Sequence, residues 1–169
     1  MHLIQGNHDY KTSLLANFGA NDTEDYGVFV INEENFPSKQ ASLNAKNIVL
    51  NTANALDSYL AKKTSEEYIK PIFIVSHVPL HFSTRTQEDS DNIYAKYIFD
   101  ACNKYGEDLN LIFLYGHNHA HGDDNYMGGA SQFLKYDDSI YIAQLGSNTQ
   151  YTDEKIDFIY MNAGYIGYY

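Results

Sequence analysis

Two short apolar runs constrain this chain more than anything else in it. Ile72-Phe73-Ile74-Val75 follows Pro71 and stops at Ser76-His77, and Leu109 to Tyr115, apolar without a break from Leu111, stops at Gly116-His117-Asn118-His119. Continuous apolar runs of this length, rich in β-branched and aromatic types, suit strands buried on both faces of a parallel sheet. Between and around them the period changes. Residues 47–62 place Ala53, Leu56, Tyr59 and Leu60 on one helical stripe. A second helix is expected from Asn92, capped by Ser90 or Asp91, with Ile93, Tyr94, Tyr97, Ile98 and Ala101 turned inward and Gly106 ending it. Strands alternating with helices predict an α/β layered domain.

The remaining segments fill in that frame. Met1 to Gln5 reads as the tail of a strand running into Gly6-Asn7-His8-Asp9, and residues 10–18 carry apolar side chains at helical spacing before Gly19. Tyr26 to Ile31 predicts a strand, 33–45 a loop, and 83–91 a polar connection. Ser131–Lys135 and Ser139–Leu145, separated by Tyr136-Asp137-Asp138, predict an antiparallel hairpin, and Phe158 to Met161 a last strand. No repeat or linker divides the chain, so residues 1–169 read as one domain.

Composition removes several function classes. No apolar run approaches the roughly 20 residues a membrane helix needs. Cys102 is the single cysteine, which excludes an internal disulfide framework and a Cys-rich zinc site. A formal charge of −11 opposes general binding to a nucleic-acid backbone. The seven histidines are unevenly placed, with His117, His119 and His121 alternating within five residues.

The chemistry gathers where strands end. Asn7 and His8, then His77, then His117 and His119 each follow an expected strand. In open α/β sheets, ligands bind beyond the carboxyl ends of the strands, so three loops would converge on one crevice. Imidazole and amide oxygen suit zinc, manganese or iron. With the chain itself strongly acidic, positive charge for a phosphate substrate would come mainly from metal ions.

Gly6-Asn7-His8-Asp9, His77 with Val78-Pro79, and Gly116-His117-Asn118-His119 resemble the third, fourth and fifth signatures of calcineurin-like metallophosphoesterases. Their order and the intervening elements also fit. The resemblance implies part of a four-layer αββα sandwich and a pair of divalent ions, manganese, iron or zinc. Asn7, His77 and His117 would coordinate one ion and His119 the other. His8 would act at the leaving-group oxygen, where a near-neutral pKa is useful, and Asp9 would orient a neighbour. The family reaction is attack on a small-molecule or macromolecular phosphoester by a hydroxide shared between the ions, with no covalent phospho-enzyme.

Two family signatures are lacking: an aspartate–x–histidine after the first strand and a Gly-Asp-x-x-Asp after the second. They hold the carboxylate that bridges the ions. Two dications about 3.5 Å apart repel by roughly 19 kcal/mol at an effective dielectric of about 20, a term that only anions offset. Asp22, Glu24 and Asp25 come after the third signature, in the wrong order. The expectation is therefore an incomplete domain, lacking the first strands, exposing an apolar edge and holding at most one ion weakly. A non-catalytic metal-binding scaffold of the same fold is the alternative. Metallo-β-lactamase-like sites fit worse, since Ala120-His121-Gly122 lacks their aspartate, and so do all-β cupin sites. Blander roles are expected elsewhere: His121 near the site or in solvent, His81 on the loop surface within reach of substrate, His2 in solvent. Asp123-Asp124 and Asp137-Asp138 read as turn carboxylates, and Cys102 as core.

Overall fold

The computed structural model describes residues 17–82, 92–116 and 133–163. Among them the elements run β1 (Gly19–Ala20), β2 (Gly27–Ile31), α1 (Leu43–Ser65), β3 (Ile72–Ser76), α2 (Ala95–Asn103), β4 (Leu111–Tyr115), β5 (Phe133–Leu134), β6 (Ser139–Ala143), β7 (Tyr151–Lys155) and β8 (Ile159–Asn162). This is a mixed α/β chain. Strands β2, β3, β4 and β8 lie parallel in the centre of a six-stranded sheet ordered β1-β2-β3-β4-β8-β5, and the outer two strands run antiparallel.

Both helices cover one face of that sheet. Ser42 caps α1 by accepting a hydrogen bond from the Ala45 N–H, and the expected stripe of Ala53, Leu56, Tyr59 and Leu60 is buried, extended by Ala45 and Val49. Helix α2 begins later than expected, and its cap position is Tyr94. The cap signal at Ser90 and Asp91 lies outside the described residues. The buried side chain of Gln40 instead accepts a hydrogen bond from the Tyr94 N–H at 2.8 Å, so a distant loop satisfies one of the donors a helix start leaves over. Ile93, Ile98 and Ala101 are buried as expected, Tyr94 and Tyr97 are half-buried, and Cys102 is in the core. Asp137 takes a left-handed turn at φ 69° and Asp138 accepts from the Lys135 N–H, so these two are turn carboxylates.

Four expectations need correction. The central strands are not buried equally on both faces: Ile72, Ile74, Leu111 and Phe113 lie under the helices, whereas Phe73, Val75, Ile112 and Leu114 remain half-buried on the other side. There Phe73, Val75 and Leu114 join Tyr26 and Val28 around a shallow apolar depression. The expected hairpin also does not form. Phe133–Leu134 joins the main sheet against β8, and Ser139–Ala143 pairs with Tyr151–Lys155, a polar strand whose sequence carries no apolar alternation to reveal it. Gly106 does not supply a left-handed helix stop, since positive φ is found only at Gly19 and Gly146 among the described glycines. It is needed for space instead: a Cβ there would lie 2.1 Å from the Asp157 carbonyl oxygen. Finally, residues 17–18, the described end of the expected first helix, are not helical.

Candidate functional site

The parallel strands bring their carboxyl ends to one edge. Register pairs Ile31 with Ser76, Val75 with Leu114, and Tyr115 with Asn162. One residue further along, Asn32, His77 and Gly116 fall level with one another. The alternation of strand side chains, continued by one residue, assigns Asn32 and His77 to the sheet face opposite the helices, level with Gly116. His77 is half-buried there. Its carbonyl accepts a hydrogen bond from the Gly116 N–H at 3.1 Å, and its Nδ1 lies 3.9 Å from where a Cβ on Gly116 would be. The imidazole therefore sits against the end of β4, one residue before His117.

The other candidate residues, Asn7, His8, Asp9, His117 and His119, lie outside the described residues, as do His2, His121 and Asp123-Asp124. Among the described residues no group of three or more His, Cys, Asp or Glu side chains is arranged to hold a metal ion. His77 is thus the one expected ligand whose surroundings are described.

The loop after His77 is built unlike a surface connection. His81, expected on the loop surface, is 1% exposed. Its Nδ1 lies 2.7 Å from the Tyr160 hydroxyl oxygen, and its ring meets Tyr115 and Tyr160 edge-on. That oxygen already accepts hydrogen bonds from the Leu80 N–H at 2.9 Å and the His81 N–H at 3.3 Å. With both lone pairs engaged, the phenolic proton points at Nδ1, which makes Nδ1 the acceptor and leaves the ring proton on Nε2. Burial holds the imidazole far below its ordinary range, at about 3. Burial also raises Tyr160 well above the ordinary phenol, assisted by the stacked Tyr115 ring. Both members of the pair are neutral at physiological pH.

Sequence reasoning missed this pair and also Asn32 and Asn162 at the strand ends. Asn32 follows the apolar run 27–31 just as His77 follows 72–76, so the same pattern of a polar residue closing a buried strand was available at both places. Asn32 is 6% exposed.

The acidic residues of the β1–β2 connection have other work. Asp22 accepts from Tyr59 at 2.6 Å and the Val28 N–H at 3.0 Å, and pairs with Lys63 at 2.7 Å. Burial raises its pKa, but those bonds outweigh burial and hold the carboxyl below its ordinary value. Val28 lies near the amino end of β2, so Asp22 is at the edge of the sheet away from His77.

No protein-family model matches the chain, and no curated protein matches it.

Proposed function

We propose that this chain carries the histidine-rich half of a two-metal phosphoester hydrolase site on the four-layer αββα sandwich of calcineurin-like metallophosphoesterases. In this reading Asn7, His77 and His117 take one divalent ion, His119 takes the second, His8 serves the leaving-group oxygen and Asp9 orients a neighbour. Manganese, iron and zinc suit such donors. When bound, the ions supply the Lewis acidity that phosphoryl transfer needs. The substrate is a phosphomonoester or phosphodiester.

The observation that carries the proposal is the seating of His77 against Gly116, because it puts the fourth-signature imidazole beside the first residue of the fifth signature. The position of Asp22 supports the companion view that the carboxylate bridging two ions is not supplied from residues 22–25. This chain by itself is then expected to hold one ion weakly and to turn over little substrate.

The test is manganese uptake followed by the electron paramagnetic resonance of the free ion, beside turnover of a generic phosphodiester and monoester. His77→Ala and His117→Ala should each weaken uptake about tenfold or more. Uptake untouched in both variants refutes the proposal. Turnover that requires manganese and both histidines assigns hydrolysis to the chain itself, whereas uptake with no turnover assigns it a metal-binding role alone.

A further inference from the structure

Residues 77–82 have no regular secondary structure, yet their backbone is held more tightly than a surface loop requires. The His77 carbonyl accepts from the Gly116 N–H, and the Val78 carbonyl accepts from the Ser76 hydroxyl at 3.0 Å. The Asn92 side-chain amide, fully buried, donates to both the Pro79 carbonyl at 2.7 Å and the His81 carbonyl at 2.6 Å. The Tyr160 hydroxyl receives the Leu80 and His81 N–H groups, and the Phe82 N–H donates to the Tyr141 carbonyl at 2.6 Å. Val78, Leu80, His81 and Phe82 are themselves buried, which leaves His77 as the half-exposed member of the group.

Buried backbone groups in an irregular segment must find partners somewhere, but water or neighbouring main chain usually suffices. Here the partners are side chains from distant elements: Tyr160 from β8, 80 and 79 residues away, and Asn92 from the segment before α2. Each has one polar group shared between two loop residues. Such an arrangement fixes several backbone torsions at once, and hence the direction in which the first residue of the loop projects.

We infer that Tyr160, His81 and Asn92 form a rigid mount that presets the His77 imidazole for ligand binding, with Tyr160 and His81 as positioning residues rather than ligands. The mount rests on the reading of His77 as a metal ligand, and it deepens that reading by explaining how one side chain on a loop is held ready without a bound ion. Its logic is that of supporting residues around a metal site: a ligand already oriented loses less freedom when the ion arrives.

The experiment is a proton–carbon correlation spectrum of the full chain with ¹³C-labelled histidine rings, recorded without metal and then with manganese. His77→Ala identifies the His77 signals. In the native chain they should form one set, and in Tyr160→Phe they should split into two or more sets or broaden beyond detection, with manganese affinity falling about tenfold. His81→Asn with Tyr160 in place, whose side-chain oxygen can accept the tyrosine proton as Nδ1 does, should keep most of the native behaviour. Val49→Ala, which opens the core under α1 far from the loop in sequence, reports the effect of lost stability alone and should leave the His77 signals as they are. Unchanged His77 signals in Tyr160→Phe overturn the mount, and so does equal disturbance by Val49→Ala. Native His77 signals that manganese fails to broaden overturn the metal-ligand reading instead, so the two failures are separable.

Discussion

Acidification offers a direct reading of the His81–Tyr160 pair. In the unfolded chain the His81 imidazole has its ordinary pKa of 6.5, whereas in the fold burial depresses it to about 3. Between those values the unfolded state binds a proton that the folded state refuses, so stability falls as pH falls. The contribution is intact above pH 6.5 and disappears progressively toward pH 3. Going from pH 7 to pH 5 takes the unfolded imidazole from about one quarter protonated to nearly complete, worth about 2 kcal/mol of stability, or about 1.4 kcal/mol for each further unit. Asp22 has the same sign but acts lower, because its folded pKa lies below its ordinary value of 3.8 and its loss begins near that value. The assay is urea unfolding of native chain and His81→Asn at pH 7 and pH 5. The asparagine keeps an acceptor for the Tyr160 proton and cannot titrate, so every other histidine cancels between the two proteins. Native chain should lose about 2 kcal/mol more than the variant. Equal losses would show that His81 is protonated inside the fold, and the assignment of the phenolic proton to Nδ1 would be wrong.

Gly106→Ala should destabilise by about 1–3 kcal/mol in chemical denaturation, because the new methyl would meet the Asp157 carbonyl at 2.1 Å; a gain of about 0.4–1 kcal/mol, the usual result where alanine fits, would show that this turn can yield. Lys63→Met should cost about 2 kcal/mol by leaving the partly buried Asp22 carboxylate without its cation, and the loss should shrink in acid as Asp22 is protonated; a deficit independent of pH would point to packing instead. Cys102 is fully buried and burial pushes its thiol upward, so a disulfide reagent should react with the native chain only at the rate of unfolding. Rapid labelling at neutral pH would contradict its place in the core.

How much of this was legible beforehand follows from which signals are local. The α1 stripe and the central strands announce themselves through period and apolar continuity, since burying one helix face or one strand needs only the residues of that element. The pairing of Tyr151–Lys155 with β6 has no such signature, because a partly exposed polar strand is specified by the neighbour it bonds to. The place of His77 was readable because a polar residue that closes a buried apolar strand stands out within its own segment. His81 was misjudged for the complementary reason: a histidine five residues past a strand looks like loop surface until Tyr160 supplies its hydrogen-bond partner.

The sequence by itself thus determined the α/β class, the parallel strands that end in histidine, the core stripe of α1 and the single buried thiol. Each depends on composition and spacing within one segment. Only the tertiary structure decided that His77 rests against the end of β4, that Gly106 is required by a carbonyl 51 residues away, and that His81 is a buried, neutral partner of Tyr160. Those are properties of groups brought together from distant stretches. Burial and hydrogen-bond partnership, which fix protonation and rigidity, exist only once the chain has folded around them.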